Sequence, residues 1–256
     1  MAVIFYLSGS GNSLYAAKQL VEKFEDCRLE AIGSYLRKPY DVKDEVVGIV
    51  SPVYCFALPP MMVQFLEKLK AKPNYCFGVV TMGGNQGRAL KQMSDTLSAK
   101  KITLNYAQTV LMPDNFFGIP QEKRVEQLKA AEPVIAKIAE EVAEAKADVA
   151  SIKEAMLWKL FGTSASWWYL KNRLKFEEMT VDATKCISCG ICAEVCQMEN
   201  ITMVDGKPTF GNNCASCLGC FHWCPESAIS AGKLTLDNNK RYVNPNINLQ
   251  MMKGEE

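Results

Sequence analysis

Two identical cysteine motifs contain the side chains whose spacing says most about chemistry. Eight of the eleven cysteines belong to them, and each cysteine of the first motif recurs 28 positions later. Both motifs read C-x2-C-x2-C-x3-C. Three thiolates so close in sequence can bind three irons of one cubane, while the fourth reaches the neighbouring cluster. The spacing predicts two [4Fe–4S] clusters, one bound by Cys186, Cys189, Cys192 and Cys224 and the other by Cys214, Cys217, Cys220 and Cys196.

Zinc and disulfides explain the motifs less well. Zinc sites usually pair two C-x2-C hooks across a longer gap, and one tetrahedral ion has no use for four cysteines in a single short run. Met1 to Leu7 is apolar but has neither a basic segment nor a cleavage site, so we expect a strand and not a signal peptide. Without a secretory signal, and with three cysteines outside the motifs, disulfides are disfavoured.

Residues 179–235 resemble the bacterial two-cluster ferredoxins, on the strength of these motifs. The resemblance implies a small α+β domain at the C-terminal end of the chain. One position departs from the family pattern, because the second motif ends in Cys224-Pro225 whereas the first ends in Cys196-Gln197. The missing proline is expected to loosen the turn that leaves one cluster, and it removes no ligand.

A loop rich in glycine and hydroxyl groups is the second candidate site. It reads Ser8-Gly9-Ser10-Gly11-Asn12-Ser13 and separates an apolar run from an amphipathic helix. Backbone N–H groups and a helix N-terminus in such a loop can bind a phosphate, and hydroxyls complete its hydrogen bonds. The dinucleotide fingerprint would need glycine in place of Leu14, and the P-loop would need a lysine that is absent. A tight turn before a capped helix is the alternative, since serine and asparagine are common N-caps.

Buried strands alternate with helices over the first half of the chain. Beyond the first strand, Ala2 to Leu7, strands are expected at 46–50, 75–81 and 102–111, and helices at 61–69 and 88–97. The alternation predicts a doubly wound, five-stranded parallel sheet. Ligands of such sheets bind beyond the carboxyl ends of the strands, which here are the loops at 8–13, 52–58 and 82–87.

Residues 1–120 resemble the flavodoxins, because these three loops match the phosphate loop and the two ring-flanking loops of that family. The resemblance implies FMN, with its phosphate on Ser8, Ser10, Gly11, Asn12 and Ser13. It implies a ring between two loops, one formed by Pro52, Val53, Tyr54, Cys55 and Phe56 and the other by Thr81, Met82, Gly83, Gly84 and Gln86. Tyr54 and Phe56 are the candidates to stack on the ring, and packing in the core is the alternative for each.

Composition and charge exclude several classes of protein. A formal net charge of +1 argues against a nucleic-acid partner, whose binding would need a basic face. Hydrophobic content of 48% and charged content of 22% are typical of a globular protein with a sizeable core. No run approaches the ~18 apolar residues of a membrane-spanning helix. Oxygen-sensitive clusters and unpaired thiols indicate the reducing cytoplasm of an anaerobe.

Four segments follow from these assignments. We expect a flavodoxin-like domain at 1–148, a helical aromatic connector at 149–178, the ferredoxin domain at 179–235 and a polar tail at 236–256. Pro133 should kink or split a helix over Glu122–Ala147. The connector is expected to pack the two domains together, and an interfacial membrane helix is the alternative. The tail is expected either to drape over the ferredoxin domain or to be loose.

The function favoured by these features is electron transport between two [4Fe–4S] clusters and FMN in an iron–sulfur flavoprotein. Clusters move single electrons whereas FMN can hold one or two, and a single chain makes the transfer intramolecular. No acid–base pair or nucleophile triad stands out. An FMN-dependent reductase of a small molecule, fed by its clusters, and a redox subunit or sensor docked on a larger partner are the alternatives. Redox partner proteins are expected as donor and acceptor, and a homodimer stays open.

Overall fold

The computed structural model describes residues 1–116, 119–152, 168, 172, 175, 178–232 and 241–254. Its strands are β1 (Ala2–Tyr6), β2 (Cys27–Ala31), β3 (Asp41–Val42), β4 (Val46–Pro52), β5 (Lys70–Ala71), β6 (Tyr75–Met82), β7 (Tyr106–Leu111), β8 (Met179–Val181), β9 (Ile201–Val204), β10 (Lys207–Phe210) and β11 (Ile229–Ala231). Its helices are α1 (Asn12–Val21), α2 (Ile32–Arg37), α3 (Pro60–Lys68), α4 (Ala89–Ala99), α5 (Gln121–Ala143), α6 (Ile191–Glu194), α7 (Gly219–His222) and α8 (Leu249–Lys253). No helix in the described ranges has the length and apolar character needed to cross a membrane. Most of the predicted aromatic connector, including Trp158 and Trp167, lies outside these ranges.

Five parallel strands form the central sheet, in the order β2-β1-β4-β6-β7. The order reverses between β1 and β4, and this switch point is typical of a flavodoxin-like doubly wound sheet. All five side chains of β1 are buried, as expected for a central parallel strand covered on both faces. The predicted fold class is confirmed, and the loops that follow β1, β4 and β6 lie together at the carboxyl edge of the sheet.

The edge strand β2 is the element that the sequence signalled least. It reads Cys-Arg-Leu-Glu-Ala and contains two charged residues. An edge strand is partly exposed to solvent, so it tolerates charged side chains that a central strand would not. Cys27 is accordingly half-buried and packs against the edge of the core, whereas Cys76 is fully buried in β6.

Two boundaries differ from the sequence expectation. Strand β7 begins at Tyr106 and not at Ile102, because the Ile102 N–H bonds the Leu97 carbonyl of the preceding helix end at 3.0 Å. The Asn105 side chain accepts from the Cys76 N–H at 2.9 Å just before the strand begins. Helix α5 is continuous through Pro133, so this proline does not split it. Pro133 lies on the solvent face, where water can hydrogen-bond the carbonyl that loses its N–H partner.

The cysteine-rich part repeats its backbone as well as its sequence. Left-handed residues recur 28 positions apart in three pairs: Ser188 and Ser216, Gly190 and Leu218, and Glu199 and Ser227. Helix α6 has its counterpart in α7, and the start of β9 has its counterpart in β11. Strands β9 and β10 form the expected hairpin through Asp205-Gly206, both with positive φ.

The sheet and the cysteine-rich part share their hydrophobic cores. On one face of the sheet, Met198 and Ala215 are buried in the same cluster as the side chains of α2, α3 and α4. On the other face, Val195, Ile247 and Met252 are buried with the side chains of α1 and α5. The two parts therefore pack as one body.

Candidate functional site

Four motif cysteines line one small pocket that is partly open to solvent. They are Cys186, Cys189, Cys192 and Cys224, the set that the spacing assigns to one cluster. Apolar side chains, among them Met203 and Ile229, form the rest of the wall. Within the described residues, no three Cys, His, Asp or Glu side chains converge closely enough for a single metal ion. A cubane, by contrast, holds its four thiolates apart around a larger core.

The fourth cysteine of each motif lies beside the other motif. Burial, with a smaller contribution from the Cys189 and Cys224 thiols, raises the pKa of Cys192 to about 11. Burial likewise raises the pKa of Cys217 to about 12, with smaller contributions from Cys214 and Cys196. A buried free thiolate is therefore unfavourable in this part, and metal coordination would supply the compensating charge.

Backbone N–H groups point at the sulfurs of both motifs in the same way. The Asn200 N–H donates to Cys196 Sγ and the Ala228 N–H donates to Cys224 Sγ, each at 3.3 Å. Such bonds stabilise negative charge on sulfur, which is one of the factors that set a cluster's reduction potential.

The predicted phosphate loop connects β1 to α1 and is buried. Ser8 is 2% exposed, and its hydroxyl oxygen has no hydrogen-bond partner among the described residues. The other two hydroxyls have protein partners: Ser10 Oγ accepts from Asn115 Nδ2 at 2.9 Å, and Ser13 Oγ lies 2.8 Å from Thr81 Oγ1. Thr81 therefore belongs to the phosphate loop's surroundings more directly than the sequence indicated.

The start of helix α1 is arranged for an anion. Its N-cap residue, Gly11, has a left-handed φ of 96°, and no side chain caps the helix. The alternative of a capped turn is therefore wrong. The first N–H groups of any helix have no partner within that helix, and they carry partial positive charge. Together with the unpartnered Ser8 hydroxyl, they fit a phosphate group.

The Asn12 side chain is fully engaged by protein atoms. Its Nδ2 donates to the Pro113 carbonyl at 3.0 Å, and its Oδ1 accepts from Tyr242 Oη at 2.8 Å and from Asn244 Nδ2 at 3.0 Å. The Asn244 N–H also donates to the Ser10 carbonyl at 2.8 Å. Asn12 can therefore offer a phosphate its backbone N–H, whereas its side chain shapes the loop.

Residues 241–254 are not loose. Arg241 and Tyr242 lie on the ferredoxin part, which is one of the two expectations for the tail. The tail also reaches the sheet, because Tyr242 and Asn244 clasp the phosphate loop and Ile247 and Met252 enter the sheet's core. The asparagines that made the tail look polar serve as buried hydrogen-bonding groups, and Asn244 is fully buried. His222 is buried too: its Nδ1 accepts from the Tyr242 N–H at 3.3 Å, and burial lowers its pKa to about 3.

The first predicted ring-flanking loop is a tight turn. Tyr54 and Ala57 exchange two backbone hydrogen bonds of 2.9 and 3.0 Å, and the residues between them, Cys55 and Phe56, have φ values of 48° and 62°. Two consecutive positive φ angles are the signature of a type I′ turn. Neither residue is glycine, so each costs on the order of 1–3 kcal/mol. Such stored strain is typical of functional loops.

The two ring-flanking loops are hydrogen-bonded to each other. The Phe56 carbonyl accepts from the Arg88 N–H at 2.8 Å, and the Val53 N–H donates to the Thr81 carbonyl at 2.9 Å. Gln86 turns away, donating through Nε2 to the Ser151 carbonyl at 2.8 Å. The remaining predicted members differ in surroundings: Pro52 ends β4, Met82 is half-buried, Gly83 packs on Asp114, and Gly84 faces open space.

The cysteine-rich part contacts the phosphate loop directly. Trp223 Nε1 donates to the Gly9 carbonyl at 3.0 Å, and a Cβ added to Gly9 would collide with the Cys217 carbonyl. Tyr54 lies near the thiols of Cys217 and Cys214. Burial, and then these two thiols, raise the pKa of its phenol well above the usual value. The structure thus brings the phosphate loop and the first ring-flanking loop up to one cysteine set.

Gln197, which replaces the family's proline, forms a second tie between the parts. Its Oε1 accepts from the Ser8 N–H at 3.1 Å, and its carbonyl accepts from Arg37 Nη1 at 2.8 Å. Glu199 adds an ion pair to Arg37 at 2.8 Å. Gln197, in place of proline, therefore joins the turn after Cys196 to the sheet domain. These hydrogen bonds do not support the expected loosening of that turn.

Sequence reasoning missed four residues at this site: Gln197, Trp223, Tyr242 and Asn244. The Cys196-Gln197 departure was the one available signal for Gln197. The other three come from segments distant in sequence, and their spacing carried no indication of a contact with residues 8–13.

Comparison with known proteins supports an iron–sulfur domain in the cysteine-rich part. Residues 185–229 match the family model of the 4Fe-4S dicluster domain. No curated protein matches the chain significantly.

Solved structures similar to this chain include flavodoxins and flavoproteins. A two-electron reduced flavodoxin from Megasphaera elsdenii is 18% identical over 54% of this chain and 99% of its own, with a TM-score of 0.35. Rubredoxin oxygen:oxidoreductase from Desulfovibrio gigas is 20% identical over 56% of this chain and 37% of its own (TM-score 0.36). A Lactobacillus acidophilus flavoprotein in complex with FMN is 12% identical over 42% and 91% (TM-score 0.33). These scores are low, so the fold assignment rests on the strand order.

The class of protein follows from the strand order and the matched segment together. The chain fuses a flavodoxin-like α/β domain to a 4Fe-4S dicluster ferredoxin domain, and it is therefore an iron–sulfur protein.

Proposed function

We propose that this protein is an electron carrier that passes electrons between two [4Fe–4S] clusters and FMN. The observation that carries the proposal is the direct contact between the two candidate sites, where Trp223 Nε1 donates to the Gly9 carbonyl of the phosphate loop. Cys217, a proposed ligand of the cluster nearer the sheet, lies on the same glycine, because a Cβ added to Gly9 would collide with the Cys217 carbonyl. Electron transfer needs such proximity between cofactors.

The flavin would be held at the carboxyl edge of the sheet. Ser8 Oγ and the first N–H groups of α1 would bind its phosphate, with Ser10 and Ser13 close by. The strained turn at Cys55 and Phe56 and the loop after β6 would flank its ring. FMN, when bound, exchanges one or two electrons, which lets it link single-electron clusters to two-electron partners. The protein's own part is to bind and orient the group and to exclude water from it.

The two clusters would occupy different positions along the route. The set of Cys186, Cys189, Cys192 and Cys224 surrounds a cavity open to solvent, and Cys189 is exposed. The set that contains Cys217 packs against the sheet's core and lies next to Tyr54 and Gly9. A redox partner protein would therefore exchange electrons with the first cluster, and the second would relay them to or from the flavin.

A carrier is favoured over a reductase because no acid–base pair or nucleophile triad stands out in the sequence. The chain also covers its own phosphate loop, since Cys217 and Trp223 lie on Gly9 and Tyr242 and Asn244 lie on Asn12. These contacts exclude water from the phosphate end of the proposed flavin. The cytoplasm of an anaerobe is the setting we propose, since the clusters are oxygen-sensitive.

Cofactor content is the direct test. Anaerobically purified protein is expected to contain iron and sulfide for two cubanes and one FMN per chain. An anaerobic redox titration should then show three centres, followed by visible absorbance for the flavin and by electron paramagnetic resonance for the clusters. Colourless protein, or protein with zinc and no FMN, would contradict the proposal.

Tyr242→Phe tests the clasp on the phosphate loop. The variant removes the hydroxyl that donates to Asn12 Oδ1 at 2.8 Å. One hydrogen bond contributes about 0.5–1.5 kcal/mol, so the Kd for FMN is expected to rise by about two- to tenfold. Tyr40→Phe is the control, because its hydroxyl donates to Glu30 Oε2, on the β2 edge of the sheet. Fluorescence of released FMN measures both, and equal Kd values in the two variants would contradict the role of Tyr242.

A further inference from the structure

We infer that Arg241 is a resident counter-cation for both clusters and raises their reduction potentials. The inference rests on the proposed pair of clusters. Arg241 belongs to the tail, a segment to which the sequence assigned no function. Its guanidinium lies against the backbone that connects the second motif to β11.

Three backbone carbonyls fix the guanidinium in place. Arg241 Nη2 donates to the Ser227 carbonyl at 3.1 Å and to the Ile229 carbonyl at 2.7 Å, and Nη1 donates to the Phe221 carbonyl. The group also stacks on the Phe221 ring, 3.8 Å from its centroid. A long side chain held at four points has one position, so its charge acts at a fixed distance from its surroundings.

The position of Phe221 places this charge between ligands of different clusters. Phe221 follows Cys220, which the spacing assigns to one cluster, and precedes Cys224, which it assigns to the other. Burial lowers the pKa of Arg241, and the Cys224 and Cys220 thiols raise it. These two thiols favour the charged form of Arg241. Arginine stays protonated in proteins, so Arg241 places a permanent positive charge near the two cysteines.

A fixed cation favours the reduced form of a cluster. A cubane with four thiolates is anionic, and reduction adds one more negative charge. The attraction of a nearby cation grows with that added charge, and it is stronger inside the protein than in water. Arg241 Nε is buried and has no partner in the described part of the chain, so its N–H is left beside the N–H groups that bind carbonyls.

Two charge-free variants and one charged variant test the inference. Arg241→Gln and Arg241→Met remove the charge, and the methionine stem still packs on Phe221 without burying a new polar group. Arg241→Lys keeps the charge and loses part of the carbonyl bonding. Anaerobic titration followed by electron paramagnetic resonance is expected to give more negative potentials for both clusters in R241Q and R241M, and potentials near the wild type in R241K.

A second buried arginine supplies the control. Arg124 lies 5.4 Å from the Tyr242 ring and is 9% exposed, and its charge acts on His222 and Tyr242. Arg124→Gln therefore removes a buried cation from the same region, and we expect a smaller shift of either cluster's potential. Iron and sulfide are counted in every variant.

The outcomes separate the inference from the proposed function. Wild-type protein without two clusters' worth of iron would contradict the proposed function itself. With full iron, unchanged potentials in whichever charge-free variants fold would overturn the inference. Equal shifts in R241K and R241Q would also overturn it, because Arg241 would then act only by holding the tail. More negative cluster potentials in R241Q and R241M, with potentials near the wild type in R241K, would establish the role of the Arg241 charge.

Discussion

Cys196→Ala is expected to remove the cluster next to the flavin and to halve the iron and sulfide of each chain. Cys196 belongs to the first motif, but its thiol acts on Cys217 and Cys220 of the second. A cubane that loses one of its four thiolates is no longer fully ligated, so this cluster is lost and the other stays. Electron flow from an external donor to the flavin should stop, because the relay position is empty.

Double variants test the crossed ligand sets most sharply. If the sets are crossed, Cys196→Ala with Cys217→Ala leaves one cluster, since both residues serve the same cubane. Cys196→Ala with Cys189→Ala then leaves none. If each motif bound its own cluster, the two results would be exchanged. Cys27→Ala is the control, because this half-buried cysteine lies in the edge strand β2 and should leave the iron content unchanged.

Gly33→Ala is expected to destabilise the protein although it adds a better helix former. Gly33 lies in helix α2, where alanine is ordinarily favoured by up to about 1 kcal/mol. A Cβ at this position would collide with the Gln197 carbonyl, so the cysteine-rich part would have to move off the sheet. Such overpacking typically costs about 1–3 kcal/mol. Thermal or denaturant unfolding of the holoprotein should show the loss.

Ser34→Ala is the matched control for Gly33. Ser34 is the next residue of the same helix and is exposed, so its replacement is expected to change stability by less than about 0.5 kcal/mol. A Gly33→Ala variant as stable as Ser34→Ala would mean that Gln197 does not rest on α2. The flavin content of both variants shows whether a shift at this contact reaches the phosphate loop through Ser8.

Local patterns in the sequence predicted the sheet well, and they predicted an iron–sulfur domain in the segment that matches the 4Fe-4S dicluster domain. Apolar runs such as Val46–Val50 specify buried parallel strands, and a repeated spacing specifies cluster ligands. Each of these signals lies within a few consecutive residues. The edge strand β2 was harder because its partial exposure dilutes the apolar pattern.

Contacts between distant segments left no such pattern. Trp223 reaches Gly9, and Tyr242 reaches Asn12, across most of the chain. The spacing of these residues in the sequence does not indicate these contacts, because the contacts depend on how the two folded parts pack against each other. The contact of the Asn-rich tail with the sheet was missed for the same reason, since a polar residue such as Asn244 looks exposed until its partner is known.

The shared core has a consequence for synthesis on the ribosome. Ile247 and Met252 complete the cluster that covers α1 and α5, so the nascent sheet cannot bury that face until residues made more than a hundred positions later have emerged. Domains of multidomain proteins generally fold one after another as they are translated. Here that face of the first half stays partly uncovered until the last described helix has emerged.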